Sequence, residues 1–217
     1  MDDTTASITD TALVTAANKT MAKNRENIYK LTLTAVLTAL IFVMAFTPLG
    51  YLKVGVVSIT FLVIPVVIGS IIGGPNVGAV LGLMFGATSF IQCFGMDAFG
   101  TTLFGINPIF TFIMCFVPRI LMGLGCGFIY KGFKAKKHSN VGAVVTSFGG
   151  GFLNTVLFVG FLLLLFYNTE FIRSFGDSVI AVISVLVTFN AVVEWIACTV
   201  IGSAVSIALA KAMKSRL

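Results

Sequence analysis

The sequence predicts an all-α membrane protein, a bundle of six transmembrane helices with both termini on the cytoplasmic side. Composition gives the first reason: of 217 residues, 58% are hydrophobic and 10% are charged, with a mean hydropathy of +1.05, whereas a soluble domain carries roughly 25% charged residues. The second is the arrangement of the apolar residues in runs near the roughly 20 residues that cross a bilayer. The third is charge placement, because 11 of the 14 Lys and Arg residues fall in three clusters separated by pairs of those runs. At this length the membrane bundle leaves no room for a sizeable aqueous domain.

The first 28 residues are small and polar, carry Asp2, Asp3 and Asp10 with several threonines, and lack the basic-then-apolar order of a secretory signal. They are expected to form a mobile cytoplasmic tail, followed by the six-helix domain at 29–213 and a basic end at 214–217. The first span runs from about Tyr29 to Thr47, where Pro48, Gly50 and Gly55 break the pattern and leave a loop carrying Lys53. The second covers about Val56 to Ile72, and Gly73, Gly74 and Pro75 turn the chain into the third, about Asn76 to Phe94. A glycine-bearing polar loop from Gly95 to Asn107 holds Asp97, and Pro108 opens the fourth span, which continues to about Tyr130. After Lys131, Lys134, Lys136, Lys137 and His138, the fifth span covers about Val141 to Tyr167. A third loop, Asn168 to Asp177, holds Glu170 and Arg173, and the last run, Ser178 to Lys211, exceeds the length of one straight span.

Orientation follows from the basic clusters. Lys19, Lys23, Arg25 and Lys30 precede the first span, the lysines after Tyr130 follow the fourth, and Lys211, Lys214 and Arg216 follow the last, so one side collects them all. The positive-inside rule makes that side cytoplasmic. The loops beginning at Pro48, Gly95 and Asn168 then face outward, where they are placed to line an external site.

A charge in the hydrocarbon layer costs at least about 2.5–3.5 kcal/mol on insertion scales, so each one demands a partner or a role. Arg119 and Glu194 are the two such residues, and at 1.5 Å of rise per residue they lie roughly 12 and 16 residues below the outer ends of their spans, at neighbouring depths. Either they pair and lock two helices, or the planar fork of Arg119 serves a substrate carboxylate. Asn190 shares a helix face with Glu194, and Asn154 sits near the middle of the fifth span; two amides beside two charges read as a polar stripe lining a pocket, with interhelical hydrogen bonding as the plainer account. Gln92 and Asn107 lie at its rim, and Tyr51, Phe94 and Phe99 are candidates for apolar walls. Gly78, Gly82 and Gly86, and Gly123 and Gly127, have the four-residue spacing that lets helices approach closely, as do Ala35 and Ala39.

Other chemistries lack their residues. Cys93, Cys115, Cys126 and Cys198 have no CxxC spacing and read as small packing residues, and His138, the only histidine, sits in the basic loop. There is no HExxH, GxSxG or phosphate-binding GxxxxGKS. No cofactor is expected, and the basic clusters read as topological signals rather than a nucleic-acid surface. An intramembrane enzyme would need a catalytic set that the chain does not display. A structural or assembly protein, whose buried charges only hold helices together, is the other rival.

The residue pattern resembles a known family. Ala35 and Ala39 as AxxxA, Ile64-Pro65-Val66-Val67-Ile68-Gly69 followed by Gly74-Pro75, Pro118-Arg119-Ile120-Leu121-Met122-Gly123, Gly150-Gly151-Phe152-Leu153-Asn154-Thr155, and Asn190 with Glu194 stand in the order and spacing found in the substrate-binding S-components of energy-coupling factor (ECF) vitamin transporters. The resemblance covers about Glu26 to Arg216 and is greatest to the pantothenate-type branch. It implies capture of a water-soluble vitamin near the outer face, pantothenate first and another vitamin or precursor as the alternative, by outer loops and later helices. Arg119, Asn154, Asn190, Glu194, Asn107, Gln92 and Tyr51 are then the expected substrate-binding set. It also implies a transmembrane coupling (T) component docked on Ala35 and Ala39, two cytoplasmic ATPases, and residence in a prokaryotic plasma membrane. Gln92-Cys93-Phe94-Gly95-Met96-Asp97 departs from the Asn- and Thr-bearing stretch expected in that branch, and Asp97 would repel an anion.

Overall fold

The computed structural model describes the backbone of residues 3–48, 50–52, 59–135, 138–176, 178–187 and 189–214, and within these the side chains other than those of 3–17, 52, 59, 185, 186, 189, 190, 213 and 214. Helix α1 runs unbroken over Asp3–Ala45, so helix begins far upstream of the expected start at Tyr29. Residues 3–45 contain neither proline nor glycine, and Glu26 and Lys30, one turn apart, form an ion pair of 2.7 Å across the expected boundary. Leu37, Ile41 and Ala45, at four-residue spacing, are buried against the bundle, while Ala35, Val36, Ala39, Leu40 and Val43 lie on an exposed face.

Beyond Pro48 the backbone forms a short antiparallel ladder, β1 (Tyr51–Leu52) against β2 (Ile59–Thr60), with Tyr51 opposite Thr60. Lys53, Gly55 and the expected start of the second span at Val56 fall outside the described residues. Helix α2 is Val63–Gly73, 11 residues long, so the second span is shorter than the sequence suggested. At 1.5 Å per residue it is roughly 16 Å long, about half the hydrocarbon thickness. It is buried on nearly every side, packed among α1 and the helices described next, which accounts for its being apolar all round.

Gly74, at φ 88°, makes the positive-φ turn that a side chain would resist, and Pro75 opens α3 (Pro75–Gln92). The loop expected from Gly95 to Asn107 is instead mostly helix: α4 (Ala98–Ile106) starts where the Asp97 carboxylate accepts the Gly100 N–H at 2.7 Å. Asn107 then caps α5 (Pro108–Ala135), its Oδ1 accepting the Ile109 and Phe110 N–H groups at 3.1 Å. Helix α6 is Ser139–Phe166, and the third loop carries a single turn, α7 (Glu170–Arg173).

The last run is not one helix. It divides into α8 (Val179–Leu186) and α9 (Phe189–Ala197), with Val187 leaving helical geometry at φ −96°, ψ 61°, and α9 passes through a π-helical turn at Cys198–Gly202 into α10 (Ser203–Lys214). Among the described residues, four helical stretches are long and apolar enough to cross a membrane: Asn18–Ala45, Pro108–Ala135, Ser139–Phe166 and Ala191–Ala212.

The tightest contact is between α3 and α5. A Cβ on Gly78 would collide with the Gly123 carbonyl oxygen, one on Gly123 with that of Gly78, and one on Gly82 with that of Arg119, while one on Gly86 would come within 2.8 Å of the Cys115 oxygen. The glycine stripe thus packs inside the bundle and lets the two backbones touch. Two apolar clusters fill the interior. One surrounds α2, and the other joins Phe99, Leu103, Met114, Leu162, Phe166 and Ile172.

Candidate functional site: a cleft floored by Arg119

Proline inside a helix leaves the carbonyl four residues earlier without its N–H partner. Pro118 leaves Met114 O in that state, and the next side chain supplies the donor: Arg119 Nη1 bonds Met114 O at 2.6 Å. The guanidinium is therefore drawn back along α5 toward the helix N-terminus. Phe85 of α3 and Phe158 of α6 flank it, with the guanidinium carbon 5.4 and 4.8 Å from their ring centroids. Arg119 is only 8% exposed, and its Nε has no hydrogen-bond partner among the described residues. A buried guanidinium with an idle N–H is poised for an oxygen supplied by a ligand.

That group opens into a cleft bordered by both apolar clusters. Its walls are Tyr51 and Thr60 of the ladder, Ser89 and Gln92 of α3, Cys93 and Asp97 of the following turn, Phe99 and Gly100 of α4, Met114 and Cys115 of α5, and Phe158 of α6. The space within it that can take the centre of a water molecule is about 80 Å³, well below the roughly 300–1,000 Å³ common for small-molecule sites. Tyr51 Oη and Ser89 Oγ are 3.1 Å apart, and Gln92 donates from Nε2 to Ala45 O at 2.8 Å, tying the end of α3 to the end of α1. Asp97, at the mouth, engages one oxygen with the N-terminus of α4, where the helix dipole offsets its charge.

The expected site residues divide into three groups. Arg119, Gln92 and Tyr51 line the cleft, as does Phe99, whereas Phe94 is 63% exposed and packs on Phe90 and Phe104. Asn154 and Glu194 form a buried link beside it: Asn154 Nδ2 donates to Glu194 Oε1 at 2.8 Å, and Glu194 Oε2 accepts the Thr60 N–H at 3.4 Å. Among the described residues they reach the cleft through Thr60. Asn107 is a helix cap outside the cleft, and the Asn190 side chain lies outside the described residues.

Arg119 and Glu194 do not form the ion pair that their depths suggested; each oxygen of Glu194 has the partner just named, and Arg119 turns to its own helix. Sequence reasoning missed Thr60, Ser89, Met114 and Phe158. Met114 had a usable signal, since Pro118 identifies the freed carbonyl by position alone. Nothing local marked the others.

Residues 29–206 match the family described as ECF transporter, substrate-specific component. The chain belongs to that family. It is also 32% identical over 162 residues to the pantothenic acid transporter PanT of Lactococcus lactis subsp. cremoris (strain MG1363), a match covering 70% of this chain and 78% of that protein. An ECF S-component is a transport subunit and not an enzyme, so the chain binds and releases a vitamin without altering it. Membership also makes the chain a multi-pass membrane protein of a kind that works with T and ATPase subunits, which agrees with its apolar helices.

Proposed function

We propose that this S-component captures pantothenate in the Arg119 cleft at the outer membrane face, for ATP-driven uptake across a prokaryotic plasma membrane. The reading rests on one observation above the rest: a buried arginine whose Nε is unpartnered among the described residues, set in a wall of hydroxyl and amide groups. Pantothenate has a carboxylate for the guanidinium fork, and hydroxyls and an amide for Tyr51, Ser89, Gln92 and Asp97. Asp97, which would repel a carboxylate nearby, instead suits the hydroxyl end. The relative whose name specifies pantothenic acid supports this choice of vitamin. Asn154 and Glu194 serve behind the cleft by holding Thr60 in its wall, and Asn107 serves by starting α5.

The six-span arrangement with cytoplasmic termini is supported by the basic clusters, with α2 and α3 as the shorter members beside the four longer stretches. Ala35 and Ala39, on the exposed face of α1, are then the docking surface for the T component, which couples the subunit to two ATPases.

Thermal stability of the purified chain in detergent, measured against a panel of water-soluble vitamins, tests the assignment because a ligand that binds the folded state raises the midpoint. Pantothenate alone should raise it. A shift with a different vitamin would replace the substrate, and none with any vitamin would leave the structural reading. Arg119→Ala should weaken pantothenate binding by about 10- to 150-fold, the equivalent of one charged hydrogen-bonding contact of about 1.5–3 kcal/mol. Unchanged affinity in that variant would remove Arg119 from the site.

A further inference from the structure

Cys93 and Cys115 come from different elements, yet their sulfurs are 3.9 Å apart and both residues line the cleft. Both are free thiols. Cys126 and Cys198 are buried in the apolar packing around α2 and do not reach the cleft. We propose that Cys93 and Cys115 are a thiol–disulfide modification site in the wall of the binding cleft, whose oxidised form shuts out the ligand.

The placement suits this chemistry. Cys115 is fixed within α5, whereas Cys93 follows the last residue of α3 and opens the turn to Asp97, so one partner can move toward the other. A disulfide needs the sulfurs at about 2.05 Å, a closure of about 2 Å. Gly100 leaves room for the Cys93 sulfur, since a Cβ there would lie 2.7 Å from it. Drawing Cys93 toward α5 carries the Asp97 turn and the start of α4 with it, and those residues border the mouth.

The oxidant is a small external disulfide able to enter the cleft. One cysteine, as its thiolate, attacks a sulfur of that molecule, breaking the S–S bond and releasing one thiol. The second cysteine sulfur then displaces the remaining half from the mixed disulfide. The two cysteine sulfurs are together oxidised by two electrons, the external disulfide is reduced to two thiols, and the cysteine protons end on those thiols. Reduction by an external thiol reverses the sequence. The effect on binding rests on the cleft being the vitamin site; formation of the bridge does not.

The test treats the purified full chain with oxidised mercaptoethanol. Titratable thiols under denaturing conditions should fall from four to two, and peptide mapping should join Cys93 to Cys115. In the same sample the pantothenate-induced rise in midpoint should disappear and return with dithiothreitol. A Cys126→Ala, Cys198→Ala double variant should still form the bridge, and mapping of the unsubstituted chain decides the matter if that variant does not fold. Cys93 and Cys115 both remaining as thiols, separate adducts on each, or a bridge elsewhere would overturn the proposal, as would a Cys93–Cys115 bridge that leaves the midpoint rise intact. Failure of pantothenate to bind the reduced protein would overturn the vitamin assignment instead, with the mapping still deciding whether the bridge exists.

Discussion

Because Pro118 has no amide hydrogen, the Met114 carbonyl becomes the anchor of the Arg119 guanidinium, and the buried cation is positioned by its immediate neighbour in sequence. Pro118→Ala should restore a backbone N–H to Met114 O and set the guanidinium loose between Phe85 and Phe158. Stability without ligand should hold or rise, while affinity should fall about two- to tenfold, as expected for the loss of one hydrogen bond of about 0.5–1.5 kcal/mol. Calorimetric titration alongside thermal unfolding separates these effects, and an unchanged affinity would mean that the Met114 contact does not position the group. Arg119 was legible in the sequence because an apolar run rarely tolerates a charge. Of the two roles left open for it, the pair with Glu194 is not formed in this structure, because depth along two helices says nothing about which side chain a rotamer reaches.

The close approach of α3 and α5 places that cation at the level of individual helices. A methyl group on Gly82 would meet the Arg119 carbonyl oxygen, so Gly82→Ala should force α5 outward and cost about 1–3 kcal/mol. A methyl group on Gly160, in α6, would meet no described atom within 4 Å, and Gly160→Ala should be neutral or stabilising by up to about 1 kcal/mol. Unfolding of both variants in mixed micelles gives the comparison, and equal effects would discount the helix contact. The bodies of α3, α5 and α6 were readable from apolar length and flanking Pro, Gly or Lys. Helix α4 was not, because Gly100, Thr101, Thr102 and Gly105 look like loop residues, and the capping role of Asp97 is visible only in three dimensions. The length of the last run called for a bend, but its position after Leu186 was hidden for the opposite reason: Ser184 to Val193 contains neither glycine nor proline.

At the scale of the whole molecule, the proposed binding cleft and the proposed docking face of α1 lie on different elements, so capture and coupling should be separable. Ala35→Trp, on that face, should abolish uptake by cells carrying the full transporter while the purified chain retains its pantothenate affinity. Loss of binding as well would remove α1 from the coupling role. The cleft itself is built unequally. On one side α3 and α5 meet backbone to backbone through glycine, a contact with no side chain to rotate out of the way. On the other, the ladder strand with Thr60 is tied to Glu194 by one N–H contact of 3.4 Å. The ladder side, held by that contact and by the Tyr51–Ser89 hydroxyl pair, is the side expected to yield first; under the proposed function its opening would set how long a vitamin stays, and the arginine side would keep the orientation in which the next molecule is received.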